Sequence, residues 1–141
     1  MTRIVVDASV VVAGLFKDGT VRGLILNRDD VEFYAPDYIR EETFRQIPRV
    51  ATRAKLSEVT VKTVLEDLFG AIELIPVGVY SAWMEKATAL AGSATAKEDP
   101  DYIALALALD APIWSLDDDL RRVPGLRILA KKDVKSLLRS E

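Results

Sequence analysis

The sequence predicts an α/β protein with a central parallel sheet covered by helices on both faces, a three-layer α/β/α arrangement. Short apolar runs rich in β-branched and aromatic residues alternate with longer segments whose apolar residues follow the helical period. A helical segment between consecutive strands is the connection that parallel pairing requires. No internal repeat, low-complexity tract or linker divides the 141 residues, so we expect a single domain over residues 1–141.

The predicted strands are short apolar segments at Arg3–Val6, Glu32–Ala35, Ile72–Val77, Pro112–Leu116 and Arg127–Leu129. The first, second and fourth are followed directly by Asp7, Pro36 and Asp117, which are residue types that disfavour continuation of a strand. Because parallel strands end at the same edge of a sheet, residues that directly follow them are expected to lie along that edge.

The predicted helices are Ala8–Phe16, Thr20–Arg28, Asp37 to about Gln46, one capped by Ser57, one around Trp83–Ala91, Tyr102–Leu109 and Lys132–Arg139. Pro48 is expected to kink or end the third helix, because proline removes a helical hydrogen bond. Tyr102–Leu109 is apolar on all sides, which predicts a buried helix. We expect Trp83 to pack in the core.

Composition limits the chemistry that this chain can carry. It has no cysteine and no histidine, and its formal net charge is −3. The absence of cysteine excludes disulfides, thiol nucleophiles and cysteine-ligated metal sites. The absence of histidine excludes a Ser-His-Asp triad and an imidazole base. An enzyme of this composition depends on carboxylates, hydroxyls, lysine, arginine or a bound cofactor.

Location is predicted from hydropathy. The first residues are typical of a strand and not of a signal peptide, because a charge interrupts the apolar run early. No segment approaches the roughly 20 apolar residues that span a bilayer. We therefore expect a cytoplasmic protein with no membrane contact.

Four carboxylates are expected near the sheet edge. Asp7 and Asp117 follow predicted strands directly, and Glu42 lies early in the helix after the second strand. Asp99 begins the buried Tyr102–Leu109 helix, and its placement is looser because a helix and a loop separate it from the preceding strand. Clustered carboxylates repel one another unless a cation compensates their charge. Mg²⁺ and Mn²⁺ prefer oxygen ligands, and they support phosphodiester hydrolysis without histidine.

Each acid also has a purely structural interpretation. Asp99, followed by proline, fits an N-cap with proline at the first helical position. Asp117–Asp119 fit a solvated turn that caps a short helix. Glu41 and Glu42 both complement a helix dipole, and only one of them can face the site. Asp7 lies between two valine-rich runs, so we expect it to be at least partly buried and to need polar partners.

Four segments, in order, resemble the motifs of PIN-domain nucleases. Val6–Ser9 resembles the opening motif after a leading strand. Pro36–Glu42 is similar to the second motif, with a proline six residues before its acid, which favours the second glutamate, Glu42. Asp99–Ala106 resembles the third, an acid that opens an alanine-rich buried helix, and Trp114–Asp117 resembles the fourth, a strand that ends in a hydroxyl residue, a spacer and an aspartate. The resemblance covers nearly the whole chain.

The resemblance implies a Mg²⁺- or Mn²⁺-dependent endoribonuclease, often a VapC-like toxin of a toxin–antitoxin pair and often a homodimer. It implies four catalytic acids, namely Asp7, Glu42, Asp99 and Asp117. Of these, Asp7, Asp99 and Asp117 would hold the metal ion. Glu42 would ligate it or position the attacking water. The implied partners are an RNA substrate and a protein antitoxin.

Further residues support this interpretation. Ser115 would orient the last acid or a bound water, and Ser9 belongs to the opening motif. Asp101 is an alternative third acid, although the spacing to the alanines favours Asp99, and Asp119 is a candidate to supplement Asp117.

Nucleic-acid contacts are predicted from Arg45, Arg49 and Arg53, which recur every four residues and would line one helix face, although Pro48 breaks that register. The main alternative function is a catalytically silent PIN-like module that binds RNA or a protein partner. A haloacid-dehalogenase phosphatase is disfavoured, because Ser9 stands where that family needs a second aspartate.

Overall fold

The computed structural model describes residues 2–16, 19–27, 30–93 and 100–139. Its strands are β1 (Thr2–Val6), β2 (Val31–Pro36), β3 (Ile72–Ile75), β4 (Ile113–Trp114) and β5 (Ile128–Leu129). Its helices are α1 (Ala8–Ala13), α2 (Thr20–Leu26), α3 (Ile39–Phe44), α4 (Ile47–Ala54), α5 (Glu58–Gly70), α6 (Val77–Tyr80), α7 (Met84–Ser93), α8 (Pro100–Leu109) and α9 (Lys131–Arg139). Two 3₁₀ turns lie at Ser81–Trp83 and Asp118–Arg122. Across these ranges, no helix is long and apolar enough to cross a membrane.

The described strands form one sheet in the order β3-β2-β1-β4-β5, and every pairing is parallel. In the middle strand, β1, Val5 pairs with Tyr34 on one side and with Ile113 on the other. The predicted parallel sheet is confirmed. Because β1 and β4 are neighbours that run in the same direction, the residues after them meet at one edge. The Asp7 N–H donates to the Trp114 carbonyl oxygen at 3.2 Å.

Helices cover both faces of the sheet. The side chains of Ile4 and Val6 pack in one apolar cluster, and Val5 packs in a second cluster. This alternation is that of a strand buried on both faces. Residues Tyr102–Ala106 of α8 are buried, as the apolar pattern of this helix predicts. The three-layer α/β/α prediction is confirmed.

Three local predictions are wrong. The third strand ends at Ile75 and not at Val77, which begins α6. Helix α3 ends at Phe44, before Pro48, and α4 begins at Ile47. Pro48 lies in the first turn of α4, where proline is tolerated because the N–H groups there have no partner within the helix. Trp83 is 37% exposed and is not a core residue, because it lies in the 3₁₀ turn before α7. The predicted end of α2 at Arg28 lies outside the described residues.

Candidate functional site

Asp7 lies where β1 ends and α1 begins. It is the N-cap of α1, and its Oδ1 accepts a hydrogen bond from the Val10 N–H at 3.3 Å. Two hydroxyls donate to the same carboxylate, Ser9 Oγ to Oδ1 at 2.5 Å and Ser115 Oγ to Oδ2. Asp7 is fully buried, as the flanking valines predict. Its expected need for polar partners is met by three hydrogen-bond donors.

The segment after β4 orients both serine hydroxyls. The Leu116 N–H donates to Ser9 Oγ at 3.1 Å, and the Asp117 N–H donates to Ser115 Oγ at 2.9 Å. Because an N–H can only donate, each serine directs its own proton to Asp7. This hydrogen-bond network joins the ends of β1 and β4, and it fixes both carboxylate oxygens of Asp7.

The pKa of the Asp7 carboxyl is raised above its usual value of 3.8. The largest cause is burial, which penalises the charged form, and the negative charge of Asp117 raises the pKa further. The hydrogen bonds from Ser115, Ser9 and Val10 act in the opposite direction and stabilise the carboxylate. Burial therefore outweighs three donors, and the site favours a partner that carries positive charge.

Asp117 is half-buried and lies directly after Leu116 at the same sheet edge. It is the N-cap of the Asp118–Arg122 turn, and its Oδ1 accepts from the Asp119 N–H at 3.0 Å. Asp117 therefore caps a short helix, as one of the two interpretations of its sequence predicts. Its charge also acts on Asp7, so the two carboxylates belong to one electrostatic site. Asp119 is 3.9 Å from the guanidinium of Arg122 in an exposed ion pair.

Glu42 lies on α3 and faces the same sheet edge. It lines a cavity of about 340 Å³ together with Ala8, Ser9, Val12, Gln46 and Arg49. The Tyr102 hydroxyl donates to Glu42 Oε1 at 2.6 Å from the fully buried ring of Tyr102 on α8. Glu41 is exposed and lines a different cavity. The structure thus places Glu42, and not Glu41, beside Ser9.

Tyr102 is a candidate site residue for which the sequence motifs predict no role. The signal available was a hydroxyl-bearing residue in a helix that is otherwise aliphatic and buried. Its partner, Glu42, lies 60 residues earlier, so only the fold shows the pair.

The described residues include one of the two candidates for the third acid, Asp101. Asp101 is at the start of α8, and its Oδ2 accepts from the Tyr80 hydroxyl at 2.6 Å. Asp101 lines a second cavity of about 430 Å³, which also contains Asp37, Tyr38, Glu41, Pro76, Val77 and Tyr80. Asp99 lies outside the described residues.

The three candidate arginines do not share one helix face. Arg45 lies in the link between α3 and α4, with its guanidinium 5.9 Å from the ring centroid of Tyr38 and 3.9 Å from Glu41 Oε2. Arg49 and Arg53 lie on α4, and Arg49 lines the cavity beside Ser9 and Glu42. The helix break before Pro48 separates Arg45 from the other two.

The groups around Asp7 suit a divalent cation. The groups around Asp7 offer only oxygen donors, which suit Mg²⁺ or Mn²⁺. Within the described ranges, no ion pair to a basic side chain compensates the charge of Asp7. The same ranges contain no cluster of three acidic side chains close enough to hold a metal. The residues present fit a cation by charge and donor type.

A comparison with protein families decides the classification. The sequence model of the PIN domain matches residues 5–139. The chain belongs to the PIN domain family. Members of this family are generally nucleases, which are hydrolases, and they generally use divalent metal ions. A comparison with curated protein sequences found no match.

Solved structures with the same fold include two that cover almost the whole PIN domain chain. VapBC2 from Rickettsia felis, in a crystal structure with a DNA fragment from the promoter, is 13% identical with a TM-score of 0.69, over 92% of this chain and 98% of that chain. PAE2754 from Pyrobaculum aerophilum is 14% identical with a TM-score of 0.66, over 99% of this chain and 88% of that chain. At these identities the likeness shows the fold.

Proposed function

We propose that this chain is an endoribonuclease that hydrolyses RNA phosphodiester bonds and depends on Mg²⁺ or Mn²⁺. The observation that carries the proposal is the hydrogen-bond network around the buried carboxylate of Asp7, beside Asp117, in a member of the PIN domain family. The absence of histidine and cysteine leaves carboxylates as the groups best suited to this chemistry.

Each residue of the site has a role in the proposed reaction. Asp7, Asp99 and Asp117 would hold the ion, which when bound activates water and stabilises the leaving oxygen. Ser9 and Ser115 keep the Asp7 carboxylate oriented by donating to its two oxygens. Glu42 would ligate the ion or accept a hydrogen bond from the attacking water.

Tyr102 has a positioning role in this proposal. Its hydroxyl donates to Glu42 Oε1, and its ring is fixed by complete burial in α8. Because a rigid donor on one carboxylate oxygen limits where the other oxygen can point, Tyr102 orients Glu42 in the cavity that Ser9 also lines.

We infer that the chain acts as the toxin of a toxin–antitoxin pair, with a protein antitoxin as partner. A structural neighbour, VapBC2, was crystallised bound to a DNA fragment from its promoter, and its fold spans 92% of this chain. On this proposal residues 1–141 form a single nuclease domain that works in the cytoplasm as a homodimer.

A second candidate is a catalytically silent module that binds RNA or a protein. One observation favours it, since the described part of the chain brings no three acidic side chains close enough to hold a metal. The two candidates differ in one property, which is metal-dependent cleavage.

Circular single-stranded RNA tests the proposal, because only an endonuclease can open a circle. We expect the wild type to linearise the circle with millimolar Mn²⁺ and to leave it intact with EDTA. Asp7→Asn should abolish cleavage. Asp118→Asn is the control, because it removes another carboxylate from the segment after β4, where the Asp118 side chain is 92% exposed. RNA binding by the wild type with no Mn²⁺-dependent cleavage would support the silent module.

A further inference from the structure

The cavity beside Ser9 contains a hydrogen-bonded pair of polar side chains. Arg49 Nε–H donates to Gln46 Oε1 at 2.8 Å. A guanidinium group can only donate, so Gln46 must turn its amide oxygen to Arg49 and its amide NH₂ away from it. The bond uses one of the five guanidinium N–H groups. The pair therefore presents hydrogen-bond donors to a ligand in the cavity.

The other lining residues of the cavity are aliphatic or acidic. Ala8 and Val12 contribute aliphatic surface from α1, and both pack on the apolar core with part of their surface still exposed. Glu42 contributes a carboxylate to the same cavity. A volume of about 340 Å³ lies in the range of small-ligand pockets.

This combination selects a neutral ligand over an anionic one. The charges of Glu42 and Arg49 offset each other, so the cavity has no net attraction for a phosphate, whereas a nucleobase carries no charge and offers a flat face to Ala8 and Val12. Guanidinium groups recognise guanine by two parallel hydrogen bonds to O6 and N7, and single-stranded RNA exposes this edge. Ser9 links the cavity to Asp7, so a base held here belongs to a nucleotide next to the acidic site.

We propose that the cavity lined by Ala8, Ser9, Val12, Glu42, Gln46 and Arg49 is a base-recognition subsite, in which Arg49 and Gln46 bind the O6 and N7 acceptor edge of a guanine next to the scissile phosphodiester. The inference deepens the proposed function and rests on it, because the ligand is single-stranded RNA. It distinguishes Arg49 from Arg45, whose guanidinium lies over Tyr38 and near Glu41.

The first test measures binding without metal. A pool of single-stranded RNA oligonucleotides of randomised sequence is bound to the wild type in EDTA, and the retained fraction is sequenced. We expect enrichment of guanine, and we expect Arg49→Ala to reduce that enrichment about tenfold or more. Lys62→Ala is the control, because it removes an exposed cation on α5 that does not line the cavity, and it should retain the enrichment. An enriched RNA in which 7-deazaguanine replaces guanine should bind the wild type more weakly, because it lacks the N7 acceptor.

The outcomes separate this inference from the proposed function. No base preference in the wild type, or an equal loss of affinity for all sequences in Arg49→Ala, would overturn the subsite, and the equal loss would indicate a phosphate contact. The same pool is then incubated with Mn²⁺. Guanine selectivity that depends on Arg49 without cleavage would retain the subsite and reject the nuclease. Cleavage whose sequence preference is unchanged in Arg49→Ala would retain the nuclease and reject the subsite.

Discussion

Ser115 donates a hydrogen bond to Asp7 Oδ2 across 108 residues of sequence, and this bond joins the ends of two neighbouring parallel strands. The same hydroxyl accepts from the Asp117 N–H at 2.9 Å. One serine thus ties the buried acid after β1 to the half-buried acid after β4. This network holds the carboxyl edge of the sheet in place.

Asp7→Asn is expected to stabilise the protein at neutral pH in the absence of metal while abolishing RNA cleavage. Burial raises the pKa of Asp7, so its charged form is less favourable in the folded state than in the unfolded state. A group of this kind contributes stability below its usual pKa of 3.8, and that contribution is lost as the pH rises through the folded-state pKa. Asparagine lacks the charge and avoids this loss, which we expect to exceed the cost of the one serine hydrogen bond that its amide NH₂ cannot accept.

The measurement is the melting temperature of wild type and Asp7→Asn in EDTA, from pH 7 downward. We expect the variant to melt above the wild type at pH 7, and the difference to shrink as the pH approaches 3.8. Asp118→Asn should melt like the wild type, because exposed ion pairs such as Asp118 with Arg121 contribute little. A variant that melts below the wild type at neutral pH contradicts the expected sign.

Ser115→Ala is expected to destabilise the protein more than Ser9→Ala. Ser115 is 2% exposed, and its loss leaves a buried carboxylate oxygen without a donor, which costs about 1–3 kcal/mol. Ser9 lines an open cavity where water can replace its hydroxyl, and Oδ1 keeps the Val10 N–H. Urea denaturation of both variants measures the difference. In an Asp7→Asn background the cost of Ser115→Ala should fall, and equal costs in both backgrounds would show that the Ser115 bond to Asp7 is not the cause.

Tyr102→Phe is expected to lower the rate of RNA cleavage about tenfold with a loss of about 1 kcal/mol in stability. The ring stays buried, and Glu42 Oε1 loses the donor that orients it. Tyr80→Phe is the matched control, because it removes a bond of the same length, 2.6 Å, to Asp101 in the second cavity. We expect its cleavage rate to stay within about twofold of the wild type. Equal losses in the two variants would show that the Tyr102 bond to Glu42 has no special role in the reaction.

Asp99→Asn is expected to abolish cleavage, and Asp101→Asn to retain most of it. Asp101 accepts from Tyr80 and faces the cavity that Glu41 lines, away from the cavity of Ser9 and Glu42. Cleavage rates of the two variants at saturating Mn²⁺ measure the contrast. The reverse order of activity would make Asp101 the third acid.

The fold was largely predictable because its signals are local. The β-branched runs, the helical period and the turn residues all lie within short segments, and all five predicted strands pair in the described sheet. The strand order was not predicted, because it depends on which strands pair over long distances in the chain. The sequence predicted that Pro48 would end or kink a helix, whereas Pro48 lies in the first turn of α4. Proline is compatible with both positions.

The acids and the two serines of the candidate site could be named from the sequence, but most of the contacts among them could not. Asp7 and Asp117 directly follow strands, so their shared edge follows from parallel topology alone. The hydrogen bond from Ser115 to Asp7 was not predictable, because the two residues lie 108 positions apart and meet only when β1 and β4 pair. The role of Tyr102 was not predictable either, because its hydroxyl contacts Glu42, 60 residues earlier, only in the folded chain.

The most direct test of a divalent cation site at the ends of β1 and β4 is the melting temperature with and without millimolar Mn²⁺. It is measured for the wild type, Asp117→Asn and Asp118→Asn. An ion at 100 times its dissociation constant stabilises the native state by about 2.7 kcal/mol, which amounts to several degrees for a protein of this size. We expect the shift in wild type and Asp118→Asn, and its loss in Asp117→Asn. A shift that Asp117→Asn retains in full, or no shift in any of the three proteins, would contradict a cation site at this edge.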